Sequence, residues 1–416
     1  MSDTLARTFA SIRNHRNYRL YFAGQAVSFT GSWMQQIAAS WLLLQLTDSP
    51  IAVGALALIQ LLPVTVFGLF VGTLLDRYEV RRVAITTETT SLVLAATLGA
   101  LTLADVVTVW EIYVFAALLG MAQAVGGPAR HALVFEMVGA DDLANAVGLN
   151  SSLGTTARVL GPAIGGIVVA SAGAGVAFEV NAASFLAEVA SLVLLDRALL
   201  HRHKRGSGSS VLGGALEALR FVVHTPRAAV AFFAVLMLST FSFNFNVLLP
   251  LVARRTLHAG PGTFGLIAAV FGVGALIGAT MNAARGYASL RILLIGGLGY
   301  GAFELALAPL GSLIPICIVL FSIGVFYTQW GTTALATIQL EAPEHLRGRA
   351  ASFYFFAFLG GAPLGGLFAS WLVRVGGTEL AFYFAGVVAV VTALAGAARL
   401  AMTSAARPIS SSLINR

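Results

Sequence analysis

The sequence predicts an all-α membrane protein with twelve transmembrane helices in two pseudo-symmetric bundles of six. Three observations support this prediction: the composition, the number of long apolar segments and the distribution of positive charge. Of the 416 residues, 58% are hydrophobic and 10% are charged, whereas a soluble domain carries about 25% charged residues. Lipid is therefore the main solvent of this chain.

Twelve apolar segments reach the length of about 20 residues that a bilayer crossing needs. One connection is long, because residues 196–227 are basic, rich in Gly and Ser, and then weakly amphipathic. The sequence therefore predicts an N-terminal half at 1–195, a cytoplasmic linker at 196–227 and a C-terminal half at 228–416, each half being one six-helix bundle. We number the segments as spans 1 to 12, at residues 18–46, 51–75, 83–104, 109–134, 146–171, 176–196, 228–252, 263–284, 290–309, 312–338, 350–373 and 380–402.

Positive charge predicts the orientation of the spans. If both termini are cytoplasmic, 21 of the 25 Lys and Arg residues fall in cytoplasmic segments. Three lie in outer loops (Arg254, Arg255 and Arg374), and Arg158 lies within span 5. Lys and Arg collect on the cytoplasmic side of membrane proteins, and no cleavable signal pattern precedes span 1. We expect a multi-pass protein of a cytoplasmic membrane with both termini inside.

The two halves echo one another, because acidic residues, a leucine and a glycine–proline element follow both span 4 and span 10. Parallel six-helix repeats are the architecture of major facilitator transporters. The stretch GTLLDRYEVRR resembles the loop signature between helices 2 and 3 of that superfamily, with Glu79 and Val80 where Gly and Arg are usual. The matching residues are Gly72, Leu74, Asp76, Arg77, Arg81 and Arg82.

Four further segments, at 31–50, 127–146, 214–227 and 342–354, resemble one branch of the superfamily. It is the branch that contains the enterobactin exporter and the bacterial macrolide-efflux proteins. The resemblance implies that Asp76 locks the cytoplasmic face when the cavity faces outward, with Arg130 and the start of span 11 near Arg349 and Ala350 as partners. A helix N-terminus attracts a carboxylate. A solvated turn that carries only topology charges is the alternative.

Residues 161–178 hold five glycines and a proline without any charge. Residues four apart share one helix face, and small residues there let a second helix approach closely, while a proline bends the helix. The spacing resembles the antiporter signature of fifth helices in proton-driven exporters, with an alanine in place of one glycine. Ordinary close packing is the alternative. The matching residues are Gly148, Ala157, Gly161, Pro162, Gly165 and Gly166.

Charged residues also occur inside the spans. Arg158 lies near mid-membrane in span 5, and Glu188 lies at a similar depth in span 6. Charges at that depth usually face a cavity or a partner, so we expect either a structural ion pair between them or a role in substrate contact or proton coupling. Glu88 and Glu304 are less deep, and their interpretation is a peripheral position near the lipid headgroups.

The superfamily fold implies a central cavity lined by spans 1, 4, 7 and 10, with spans 2, 5, 8 and 11 beside them. Phe241, Phe243 and Phe245 add apolar surface to span 7, although alternate positions do not share one face of a regular helix. The set predicts a largely apolar pocket that suits a lipophilic or aromatic solute better than a sugar, with simple packing as the alternative for each ring. The polar and aromatic residues expected at the cavity are Gln25, Trp33, Gln36, Gln60, Gln123, Asn244, Asn246, Tyr327, Gln329 and Trp330.

Other function classes find no support in the sequence. The single lysine, Lys204, lacks the P-loop frame, and no metalloprotease or nucleophile-elbow motif occurs. We therefore expect no enzyme, cofactor, metal or nucleic-acid partner, but a monomeric secondary transporter whose partners are a small-molecule substrate, protons and membrane lipid. Proton-coupled export of lipophilic or aromatic molecules, of drug or siderophore type, from a bacterium is the favoured function. A nutrient importer or facilitator, or a lipid flippase on the same fold, stays open.

Overall fold

The computed structural model describes residues 9–67, 71, 75, 77–201, 217, 220–343 and 346–405, and this part of the chain is helical without strands. The helices of the N-terminal half cover Ala10–Asn14, Arg16–Thr47, Pro50–Phe67, Val80–Leu103, Val109–Val138 and Leu143–Val193. Those of the C-terminal half cover Pro226–Met237, Leu238–Ser242, Phe245–Leu251, Val252–Thr256, Pro261–Arg285, Leu290–Leu307, Leu313–Glu341, Arg347–Gly360 and Ala362–Ala405. The all-α prediction is confirmed.

Within the described ranges, nine helical stretches are long and apolar enough to cross a membrane. Two of them, Leu143–Val193 and Phe353–Met402, each hold two predicted spans. The backbone leaves helical geometry at Gly173 and at Gly376–Gly377, which divides these stretches into two helices each. Together with the 32-residue helix Arg16–Thr47, this arrangement accommodates the twelve predicted spans.

Small residues set the packing inside the N-terminal half. Span 6 runs antiparallel to span 1, because Gly31 packs against Ser184 while Gly24 packs against Ser191. The chain reverses between spans 5 and 6 at Gly173, whose φ of 86° is a conformation that glycine adopts readily and other residues rarely do. Since lipid is as apolar as the helix surfaces, such close backbone contacts are a main source of attraction between helices.

The two halves meet at the ends of the spans that the charge pattern places outside. Asp48, after span 1, accepts a hydrogen bond on its backbone oxygen from Arg255 Nη2 at 2.7 Å, and its carboxylate lies 3.3 Å from Arg254 Nε. Between spans 2 and 11, a Cβ added at Gly54 would lie 2.9 Å from the Gly366 carbonyl oxygen. These contacts hold the two halves together at this end. The domain boundaries stay a prediction, because most of the linker lies outside the described residues.

Candidate functional site

Arg158 connects the two halves. Its Nη1 donates a hydrogen bond of 3.1 Å to the Tyr327 hydroxyl of span 10, and its guanidinium carbon lies 5.1 Å from the centre of the Trp33 ring of span 1. Its Nε is buried and has no hydrogen-bond partner in the described part of the chain. Of the two alternatives expected for Arg158, the structural ion pair with Glu188 does not form, since Glu188 belongs to a different cluster of charges.

Aromatic rings from spans 7, 8 and 10 surround this contact. Tyr327 stacks on Phe243 with ring centres 4.3 Å apart and an interplanar angle of 8°. Phe271 lies 4.9 Å from Phe245 and 5.7 Å from Tyr327, and Trp330 meets Tyr327 edge-on at 5.8 Å. These five rings, which we call the aromatic cluster, form an apolar wall that meets Arg158 at Tyr327, and only Phe243 among them is half-buried rather than buried.

A break in span 7 builds this wall. Residues Leu238–Ser242 form a π-helical turn, and Phe243 then leaves helical geometry with ψ of 66°. As a result the rings of Phe243 and Phe245 lie 6.1 Å apart in one cluster, and the expectation that they point to different faces is wrong for this pair. Phe241 does point elsewhere, because its ring packs on Phe368 at 5.9 Å. No glycine or proline in this stretch signals the break.

The break is stabilised by side-chain hydrogen bonds. The Ser242 hydroxyl donates to the Ala385 carbonyl oxygen at 2.7 Å, and Asn244 Nδ2 donates to the Thr240 carbonyl oxygen at 2.9 Å. Irregular backbone inside a membrane persists where such partners replace water. In transporters, discontinuous helices commonly mark the substrate region.

The remaining cavity candidates occupy different environments. Gln25 is buried and donates to the Tyr21 hydroxyl at 2.7 Å, Gln329 is buried and accepts from Arg285 Nη1 at 2.5 Å, and Asn246 is exposed. Contact of these residues with a substrate stays a prediction. Three others lie among the polar and apolar side chains that line a cavity of about 60 Å³ inside the N-terminal half: Gln36, Gln60 and Gln123.

A larger groove, of about 1160 Å³, lies at the predicted cytoplasmic ends of spans 7, 9, 10 and 12. Arg227 at its edge lies 3.2 Å from Glu341. The groove is lined by the C-terminal half and the last residues of the predicted linker, whereas the Arg158 site is shared by both halves. An alternating-access site needs contributions from both halves, so we assign the groove no part in it.

A second cluster of charges lies buried in the N-terminal half. Arg130 of span 4 forms an ion pair with Glu88 of span 3 and donates to Gln123 Oε1 at 2.7 Å. Its guanidinium carbon also lies 5.8 Å from the centre of the Phe29 ring. The expected peripheral position of Glu88 is wrong, because the residue is 1% exposed.

Glu188 of span 6 is the second carboxyl group of this cluster. It is fully buried, and Arg130, Glu88, Ser28 and Tyr21 are its polar neighbours. The described residues thus place two carboxyl groups around one guanidinium, which we call the charge cluster. Nothing in the sequence links these residues except that each is a charge in an apolar span, which is itself a signal of function.

Glu304 also differs from its expected position. It is fully buried, and its neighbour is Tyr300, one helical turn earlier in span 9. Glu304 therefore faces the interior of the C-terminal half and not the lipid headgroups.

The glycines of the span-5 motif have different neighbours. A Cβ at Gly166 would lie 2.7 Å from Gly265 Cα of span 8, and one at Gly165 would lie 3.0 Å from Met34 Cα of span 1. Gly161 packs against Trp33. At Gly148, in contrast, a Cβ would meet open space. The motif therefore serves packing within the N-terminal half and contact between the halves at separate positions.

The latch candidates are described only in part. Gly72 and Asp76 lie outside the described residues, and Arg77 is exposed. Arg81 is buried and donates to the carbonyl oxygens of Leu192 and Val193 at 2.8 and 2.7 Å, so it caps the end of span 6. Exposed Arg82 pairs with Glu79 at 2.7 Å. In the described state Arg130 binds Glu88, and its role in a latch stays a prediction.

Curated relatives align with most of the chain. The staphyloferrin A transporter of Staphylococcus aureus is 24% identical over 89% of this chain and 92% of its own length. The multidrug efflux pump Tap of Mycolicibacterium fortuitum is 26% identical over 85% of this chain and 88% of its own. Macrolide efflux protein A of Streptococcus pyogenes is 24% identical over 82% and 86%.

Solved structures match the fold as well. A nucleoside transporter, NupG, aligns with a TM-score of 0.71 at 14% identity, covering 92% of this chain and 99% of its own. A D-xylose–proton symporter aligns with a TM-score of 0.72 at 14% identity, covering 92% and 97%. The family model described as transmembrane secretion effector matches residues 6–415. The resemblance inferred from the sequence motifs is thus confirmed, and the chain, which is a multi-pass membrane transporter and not an enzyme, belongs to the transmembrane secretion effector family of the major facilitator superfamily.

Proposed function

We propose that the protein is a proton-coupled exporter of lipophilic or aromatic small molecules, of drug or siderophore type. It works as a monomer in the cytoplasmic membrane of a bacterium, surrounded by membrane lipid and with both termini inside. The two six-helix halves, 1–195 and 228–416, rock about a midplane site, and 196–227 joins them in the cytoplasm. The single observation that carries the proposal is the contact of Arg158 with the aromatic cluster across the boundary of the halves.

The chemistry of this contact supports the substrate class. Four rings of the aromatic cluster are buried in the described state and Phe243 is half-buried, so an aromatic or lipophilic solute would stack on their flat faces once the halves move apart. Arg158 is a planar donor whose Nε is unused among the described residues, and Tyr327 offers one hydroxyl. A few polar groups in an otherwise apolar wall are enough to orient a ligand. They do not require that the ligand carry many hydroxyl groups. A sugar would leave most of its hydroxyl groups unpaired here, at a cost of about 1–3 kcal/mol each.

Two further observations support direction and coupling. The relatives include a multidrug efflux pump and a macrolide efflux protein by name, which favours export. The charge cluster holds a surplus carboxyl group that is buried in the membrane region, and such groups are typical of proton relays. An inward proton moves down a potential worth about 2.3 kcal/mol per 100 mV, so export without nucleotide is energetically feasible.

The cycle uses two gates. The ion pairs of Asp48 with Arg254 and Arg255 close the outer side in the described state. When the cavity faces outward, the Asp76 latch closes the cytoplasmic side by capping span 11 and pairing with Arg130. The glycine motif of span 5 is the surface on which the halves rock.

Transport by purified protein in liposomes tests the proposal. The probes are radiolabelled erythromycin, a macrolide, and radiolabelled 2,3-dihydroxybenzoate, an aromatic anion. When the liposome lumen is acidic, protein molecules whose cytoplasmic face points out of the liposome should accumulate at least one probe in the lumen. A protonophore should abolish this accumulation. Protein-free liposomes correct for passive trapping. Uptake of a probe that ignores the protonophore indicates a facilitator, and translocation of a fluorescent phospholipid instead of either probe indicates a flippase.

A further inference from the structure

We propose that Glu188 binds the coupling proton, and that span 1 transmits the resulting movement of Arg130 to the substrate site at Arg158. This inference rests on the proposed function and assigns its coupling step to the charge cluster. Arg158, although it is a deep charge, is not the proton site.

The charges of the cluster do not balance when both carboxyl groups are ionised. Arg130 supplies one positive charge, and Glu88 already forms an ion pair with it. Glu188 is equally buried, and an isolated ionised carboxylate in an apolar interior is strongly unfavourable, so such a group takes up a proton instead. In this proposal the described state holds Glu188 as the neutral acid, beside an ion pair between Arg130 and Glu88.

The groups that face Glu188 come from every helix packed against it. Span 1 contributes the hydroxyl groups of Tyr21 and Ser28, span 3 contributes the Glu88 carboxylate, and span 4 contributes Arg130. On its own helix, the Ser191 hydroxyl donates to the Glu188 backbone oxygen at 2.7 Å and leaves the carboxyl group alone. Arg130 is thus the cation around which loss of the proton from Glu188 rearranges this cluster.

A small cavity beside the charge cluster has room for water. The 60 Å³ cavity is lined by polar and apolar side chains, among them Gln123, which accepts a hydrogen bond from Arg130 at 2.7 Å. A cavity needs roughly 10–15 Å³ to hold one water molecule, together with polar partners. Phe185, which also lines the cavity, lies three residues before Glu188 and therefore about one helical turn away. The cavity gives the proton a short route to the cluster.

The coupling step is a balanced proton transfer with a rearrangement. Glu188 releases its proton to water and becomes a carboxylate, so Arg130 now lies between two negative groups. The guanidinium is then drawn away from its single partner Glu88 towards a position shared with Glu188. When a proton returns, Arg130 goes back to Glu88.

One face of span 1 connects this rearrangement to the substrate site. Phe29 lies under the Arg130 guanidinium at 5.8 Å, and Trp33 lies under the Arg158 guanidinium at 5.1 Å. The two rings are four residues apart, so they are stacked neighbours on one helix face. A shift of Arg130 therefore moves the Phe29 ring, which lies one helical turn from the Trp33 ring that contacts Arg158.

Infrared difference spectroscopy of the purified protein in lipid tests proton binding without any substrate. Spectra recorded at acidic and alkaline pH should show a carboxylic-acid C=O band in the wild type that is absent from Glu188→Gln. Glu179→Gln is the matched control, because Glu179 lies on the same span beside Gly99 and away from the cluster. It should keep the band. A Glu188→Gln protein with an unchanged band overturns the assignment.

Proteoliposome transport, with the two probes named above, tests coupling. A gradient of one pH unit supports about tenfold accumulation for one proton per solute, so wild type and Glu179→Gln should approach that ratio. Glu188→Gln should fall to equal concentrations on both sides while still exchanging labelled for unlabelled probe. Gradient-driven accumulation by Glu188→Gln overturns the inference and leaves the proposed function standing. If the wild-type protein exchanges the probe but shows no accumulation driven by the pH gradient, the proposed coupling is overturned. The assignment of a coupling proton is then overturned with it.

Discussion

Gly166 of span 5 and Gly265 of span 8 meet backbone to backbone where the two halves join. A Cβ on either glycine would lie under 3 Å from the other's Cα, so this approach excludes any larger residue. The contact lies towards the predicted outer end of both spans, on the same side as the Asp48 ion pairs. Close contact of the halves at this end therefore depends on the absence of two side chains.

Gly166→Ala should keep the protein folded but prevent full outer closure, because the new methyl group would meet Gly265. Labels at Val106→Cys and Ser312→Cys, which are exposed outer-loop positions, report the opening by pulsed electron resonance once Cys317 is replaced by serine. Gly148→Ala is the control, since its methyl group meets open space and both changes raise helix propensity by about 1 kcal/mol. Equal distances in the two variants would contradict the role of this contact.

Asp48→Asn should shift the population towards the outward-facing state. The variant keeps the left-handed backbone of residue 48, where φ is 48°, because asparagine tolerates that conformation. It removes the charge that pairs with Arg254 and Arg255, and because exposed pairs contribute about 0.2–1 kcal/mol each, the population should shift by about twofold to thirtyfold. The same labels measure it at low salt. Asp105→Asn, at another aspartate with a left-handed backbone, is the control and should leave the label distances unchanged. An equal change of distance in this variant would contradict a gating role for Asp48.

The sequence reveals the fold well because membrane physics leaves a readable pattern. Long apolar segments and the Lys and Arg bias predict spans and orientation, and the glycines of span 5 predict a close approach. Which glycine meets which helix is not readable: Gly161 and Gly166 differ only in their spatial neighbours, Trp33 within one half and Gly265 in the other.

The site was less predictable, because pairing of charges is a tertiary property. Arg158 and Glu188 have similar depths on adjacent spans, yet the helix faces turn them to different partners. Glu88 and Arg130 pair although 42 residues separate them. The π-helical break in span 7 depends on the Ser242 hydroxyl bond to span 12, a partner that no local pattern contains.

Arg130→Gln should destabilise the protein strongly, because it leaves the Glu88 carboxylate buried without its cation. Breaking a buried pair typically costs about 3–5 kcal/mol, while the double change Glu88→Gln with Arg130→Gln should recover much of this. Arg82→Gln is the control, because that arginine is 72% exposed in its pair with Glu79 and such pairs contribute about 0–1 kcal/mol. Melting temperatures in one detergent measure all three, and additive losses in the double variant would argue against the pair.

Arg158→Ala should leave a folded protein of nearly unchanged melting temperature that no longer transports. The reason is that Arg158 has no carboxylate partner among the described residues. Its removal therefore leaves no buried charge without a partner, unlike the removal of Arg130.

Tyr327→Phe is the finer variant. It keeps the ring that stacks on Phe243 and deletes only the hydroxyl group that accepts the hydrogen bond from Arg158. Arg158→Lys keeps the charge but loses the planar fork that binds a carboxylate or catecholate with two hydrogen bonds, so transport of 2,3-dihydroxybenzoate should fall more than that of erythromycin. Transport at the wild-type rate by a stable Arg158→Ala protein would remove this residue from the substrate site. A large drop in melting temperature would instead make its contacts with Trp33 and Tyr327 structural.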